Sequence, residues 1–144
     1  MNRFSTLAAW MSVAAAVGAI VLLASLHFLS PEFDPSWRMV SEYANGHFGW
    51  VLALMFAAWG FSSWALAAAM RRESRGPTFT IGLVILVISG IGEAMAAVFD
   101  INHDLLHGIA GVLGIGGMPI AATIITVSAD SDGFGPLIPM EMAH

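Results

Sequence analysis

The sequence predicts an all-α integral membrane protein, a four-helix bundle of two antiparallel hairpins with both termini on the cytoplasmic side. Three observations carry that expectation. The 144 residues are 58% hydrophobic and 10% charged, with a mean hydropathy of +0.79, too apolar for a soluble domain that must cover its outside with polar groups. Four apolar stretches each reach the roughly 20 residues that cross a hydrocarbon core of about 30 Å. The arginines divide unevenly between the two ends of those stretches.

The first stretch, Thr6 to Leu29, carries no charge. It follows Arg3 as a secretory signal would, but it is longer than a signal core and further spans follow, so it predicts an uncleaved helix. Pro31 and Pro35 stop that helix and keep the chain extended. Met39 to Tyr43 predicts a short interfacial helix, and Asn45-Gly46 a turn. The second span runs from His47 to Met70. The loop after it, "RRESRGP", holds Arg71, Arg72 and Arg75. The third span runs from Phe79 to Phe99, with Glu93 as its one charge, and the fourth from Leu105 to Val127. These spans make residues 1–127 one membrane domain. Residues 128–144 form a cytoplasmic or interfacial tail, too short and too broken by glycine and proline to span. Helix is required throughout the core, because lipid offers no partner to an unpaired backbone group.

An even number of spans puts Arg3 and the three loop arginines on one side and leaves Arg38 alone on the other. The positive-inside rule makes the first side cytoplasmic, and the expected location is the plasma (inner) membrane of a prokaryote. Trp10, Trp37, Trp50 and Trp64 suit an interfacial belt, and Trp59 suits packing. A net charge of -5 argues against nucleic acid. The absence of cysteine excludes disulfides, thiolate metal sites and cysteine catalysis. Gly108, Gly111 and Gly114 in the fourth span let a helix backbone approach closely, within the bundle or at a second subunit.

"YANGHFGWVLALMFAAWGFSSWALAAAM", preceded by Ser41-Glu42, resembles the domain-of-unknown-function 998 family of prokaryotic integral membrane proteins. The residues that carry the likeness are Ser41-Glu42, Gly49-Trp50, and Phe99 with His107-Gly108, over roughly residues 27 to 127. Members of the family commonly have about six spans, against four in this sequence. The resemblance implies a fold of this kind, brings no activity with it, and leaves room for a partner or a second copy to complete the bundle.

Two features carry chemistry. The stretch "DINHDLLH" places Asp100, His103, Asp104 and His107 within eight residues. His103 and His107 share a helix face if the helix has begun by Asn102, and with Asp100 or Glu42 they have the donor types for a zinc ion. The plainer reading is a turn, with Asp100 or Asn102 capping the fourth helix and Asp104 answering its dipole. Glu93 lies roughly 10 Å below that turn. A charged carboxylate in hydrocarbon costs roughly 2.5–3.5 kcal/mol on insertion scales. Glu93 is therefore expected to face protein, with Arg38, His107 or Ser89 as partner.

Four functions compete. The preferred one is a non-enzymatic membrane subunit or lipid- or partner-binding module, a homo-oligomer or part of a larger complex. The alternatives are a metal-dependent enzyme at the outer face, a haem carrier using His27, His47 or His107, and a proton-coupled transporter using Glu93.

Overall fold

The computed structural model of the protein describes residues 3–72 and 76–133. They form four helices long and apolar enough to cross a membrane, and no strand is found among the described residues. Helix α1 is Arg3–Leu29, α2 is Gly49–Met70 and α3 is Gly76–Val98. The fourth span is a single rod in three parts: α4 (Asp104–Gly111), a π-helical turn (Val112–Gly116) and α5 (Gly117–Gly133). In the first loop a 3₁₀ helix spans Val40–Asn45, close to the short helix expected there. The rod carries helix past Val127 as far as Gly133. The rest of the tail, with Glu73, Ser74 and Arg75 of the arginine loop, lies outside the described residues.

Each boundary has a local cause. Gly76 holds φ at +85°, which an L side chain rarely adopts, and so turns the chain into α3 three residues before the expected start. Pro77 then occupies the first turn, where its missing N–H leaves no gap in the ladder. At the other end of the molecule Asp100 does not cap the fourth helix. Its Oδ1 accepts from the Asn102 backbone N–H at 3.0 Å, which makes an Asx turn just ahead of the helix. The residue in the cap position is His103, with no side-chain capping bond.

Extensive packing joins sequence neighbours: α1 lies on α2, α2 on α3, and α3 on the fourth span. The inner pair is accordingly the more buried. Half of the most apolar window of α2 is inside the protein, against 17% for α1 and for the fourth span. The outward isoleucines, valines and leucines of the outer helices are the surface that lipid would cover.

With no water to expel from between the spans, close backbone approach and hydrogen bonds must hold them together. Ser12 and Ser62 clasp α1 to α2, each hydroxyl donating to the other's backbone carbonyl at 2.9 Å. Gly60 and Gly90 bring α2 and α3 together, and the Trp64 indole N–H donates across to the Val87 carbonyl at 3.1 Å. Gly92 and Gly114 form the tightest crossing, between α3 and the fourth span. A Cβ added at Gly92 would meet the Gly114 nitrogen at 2.3 Å. Of the three glycines expected to serve helix contact, only Gly114 does so among the described residues. A Cβ at Gly108 or Gly111 would meet nothing within 4 Å. The crossing glycines of α3, Gly90 and Gly92, stand outside the sequence expectation, because small residues mark a contact only when the facing helix is known.

Candidate functional site

The α2 helix and the fourth span both pack on α3, and this leaves a groove over α3 between them. At the loop end the 3₁₀ segment roofs the groove, and a cavity of about 280 Å³ lies beneath it. Met39, Val40 and Ser41 line it from the loop, and Phe56 from α2. Glu93 and Ala96 form its α3 side. His107, Ala110, Gly111, Gly114 and Ile115 complete it from the fourth span. The lining is predominantly apolar. Two glycines shape that wall: Gly111, where an added Cβ would meet nothing within 4 Å among the described residues, leaves open space, and Gly114, where a Cβ would meet Glu93 at 3.1–3.2 Å, lets the fourth span close on α3.

Glu93 is 3% exposed and faces protein, as its cost in lipid requires. Ser63 of α2 donates to its Oε2 at 2.9 Å. The other oxygen, Oε1, is buried and has no hydrogen-bond partner among the described residues. The three partners expected for Glu93 are engaged elsewhere. Ser89 donates instead to the Gly114 carbonyl at 2.8 Å, inside the π-helical turn. That turn is a local widening of the helix, of a kind that recurs at functional sites. Here it lies against Ser89, Gly92 and Glu93. Arg38 pairs with Glu42 four residues on, and its guanidinium stacks over Trp37 at 4.5 Å and Phe33 at 5.9 Å. Arg38 therefore stays at the loop surface, bound locally, and does not fold down to Glu93.

His107 lines the same cavity but turns its Nδ1 to the Phe99 carbonyl, 2.9 Å away. A carbonyl only accepts, so Nδ1 carries the proton and Nε2 is the ring nitrogen left over. His103 turns the other way. Its Nδ1 lies 3.1 Å from Asp100 Oδ1. The Asp100 carboxyl is held below its ordinary value, first by the Asn102 backbone N–H and then by the His103 side chain. The expected zinc ligands are thus divided: His103 with Asp100, His107 with Phe99, Glu42 with Arg38. No three histidine, aspartate or glutamate side chains among the described residues are placed to hold a metal ion. The turn reading accounts for these contacts, with Asn102 further tied to Asn45 of the first loop at 3.1 Å.

The roof of the cavity depends on Tyr43, which the sequence did not single out. Its ring is 1% exposed and packs between His27 and Phe33. Its hydroxyl donates to the Phe33 carbonyl at 3.0 Å and therefore accepts from His27 Nδ1 at 2.6 Å. Burial raises the phenol above its ordinary value, and the nearby Asp34 and Glu32 add to that. His27 is thus a brace between the end of α1 and the loop. His47 lies against Phe48, ring edge to face, beside a separate cavity of about 340 Å³ at the loop end.

The Ser63–Glu93 bond gives a direct test. Glu93→Leu should lower stability by about 1 kcal/mol, because it removes the shorter of the two bonds open to the buried Ser63 hydroxyl and leaves it the Trp59 carbonyl at 3.3 Å. Glu93→Gln keeps an acceptor and should stay within a few tenths of wild type. Detergent-solubilised thermal unfolding would measure both, and equal stability of Leu and Gln variants would show that the bond contributes nothing.

Comparison with known proteins agrees with the architecture. Neither curated proteins nor solved structures include a match to the chain. A family model described as "protein of unknown function" does match, over residues 12–139, a longer span than the 27 to 127 on which the sequence likeness rests. This multi-span helical membrane protein belongs to the family of proteins of unknown function DUF998.

Proposed function

We propose that the protein is a small lipid-binding module of the membrane, acting as a subunit of a homo-oligomer or larger complex, with the Glu93 cavity as its binding site. One observation carries the reading. A predominantly apolar cavity of about 280 Å³ ends on a buried carboxylate oxygen that has no hydrogen-bond partner among the described residues. Binding sites for small amphiphiles are concave, mostly apolar and fitted with few polar groups. The volume is at the lower end of that range, which suits a single chain better than a two-chain phospholipid. The cavity borders the groove between α2 and the fourth span, so a ligand would enter sideways from lipid.

The test uses Gly111→Phe. A Cβ there meets nothing within 4 Å, so the ring should fill the cavity without moving the backbone. Protein purified in mild detergent should carry a co-purifying amphiphile, seen by native mass spectrometry, that Gly111→Phe lacks while unfolding at the same temperature. Equal lipid content in the two proteins would end the proposal.

The arginine asymmetry further supports termini in the cytoplasm of a prokaryotic cell, with the roofed cavity at the outer end. Cysteines placed at Ser36 and Ser74 should then react with an impermeant thiol reagent from opposite sides of intact cells. Labelling of both from outside would reject this orientation.

A further inference from the structure

Resting on the lipid-binding reading, we infer that the cavity selects a single-chain amphiphile whose head donates hydrogen bonds, a hydroxyl or a primary ammonium. The polar atoms that meet in the cavity determine the choice. Glu93 Oε1 is an acceptor when ionised, is 97% buried with its side chain, and lacks a donor among the described residues. His107 has spent its Nδ1 proton on Phe99, so the nitrogen it can offer a guest is Nε2, an acceptor in the neutral ring. The arginine nearest in sequence to the cavity roof, Arg38, is paired to Glu42 and stacked on two rings. The selection is for the ionised carboxylate: beside it, a head that only accepts, such as an ester or a carboxylate, would set lone pairs against lone pairs, whereas a neutral Glu93 would donate from Oε1 and bind the ether as well. A hydroxyl or ammonium would satisfy Oε1 and reach toward the histidine.

The geometry also orients the guest. Glu93 lies five residues before the end of α3, roughly 7–8 Å below it. The side-chain-free wall at Gly111 and Gly114 runs past Ile115, which is 65% exposed. The head is therefore held inside the protein at Glu93, and the chain leaves along the glycine wall into lipid. This is the reverse of a bilayer lipid, whose head stays at the surface.

The experiment compares three probes of one chain length in phosphatidylcholine nanodiscs holding the purified protein: dodecanol, dodecylammonium and dodecyl methyl ether. Affinity is read from thermal stabilisation, which follows RT ln(1 + [L]/Kd). At least one of the two donor heads should bind wild type tenfold or more tighter than the ether, and the tighter of them identifies the head. In Glu93→Leu that advantage should vanish, while weak ether binding persists. In Gly111→Phe all three should be lost. The ether comparison on wild type alone decides the matter if Glu93→Leu fails to fold. Equal affinity for all three probes, with loss in Gly111→Phe, would overturn the head selection and leave the lipid-binding reading standing. No binding of any probe to wild type would overturn both.

Discussion

Gly92→Ala should be among the most damaging single substitutions in the chain, costing about 3 kcal/mol or more, at the upper end of what overpacking produces. The new Cβ would lie 2.3 Å from the Gly114 nitrogen, 2.7 Å from Leu113 Cβ and 2.8 Å from the Ala110 carbonyl oxygen. Two of these three atoms are backbone, which cannot turn aside as a side-chain tip can. Relief requires α3 and the fourth span to move apart, and that would break the Ser89–Gly114 bond and reshape the cavity wall. Gly111→Ala is the control, since it adds the same methyl to the facing span where nothing lies within 4 Å. Chemical or thermal unfolding in detergent should separate the two clearly. If they behave alike, the crossing is looser than the geometry says.

Tyr43→Ala should cost about 3–5 kcal/mol, the range for truncating a large buried ring. The ring joins the end of α1, the start of the first loop and the 3₁₀ helix in one contact. Tyr43→Phe isolates the hydroxyl and should cost about 1–3 kcal/mol, because it strands both the Phe33 carbonyl and His27 Nδ1. Tyr43→Ala also has a functional reading. Met39, Val40 and Ser41 roof the Glu93 cavity from the same loop, so a loosened roof should raise the rate of ligand exchange more than a loss of affinity alone would require. Parallel unfolding and ligand-release measurements would check this. A stable Tyr43→Ala protein with unchanged release would show that the roof is held by other contacts.

The glycine expectation shows where sequence reasoning stops. Gly108, Gly111 and Gly114 look alike along the fourth span, yet among the described residues only Gly114 meets another helix's backbone. Gly111 instead supplies empty space to a cavity, a role with no sequence pattern of its own. Glu93 was legible as a protein-facing acid, because the cost of a charge in lipid is set by chemistry and position. Its partner was not. Arg38 had the right charge but a nearer carboxylate, Glu42, one helical turn away. The true partner, Ser63, is one of many small polar residues that packing alone distinguishes.

The sequence by itself determined the helices, their number among the described residues and the seats of the loops. Those follow from two strong local constraints, the length of apolar chain that crosses a bilayer and the need to pair every backbone group inside it. Only the tertiary structure decided which residues meet. It divided His103 from His107, gave Glu93 to Ser63, and opened a cavity where α2 and the fourth span share α3. In a chain so uniformly apolar, each span can be turned about its axis at little cost in hydropathy. The rotations are set by glycine crossings and single hydrogen bonds between residues far apart in sequence, and these become visible only when the helices are packed.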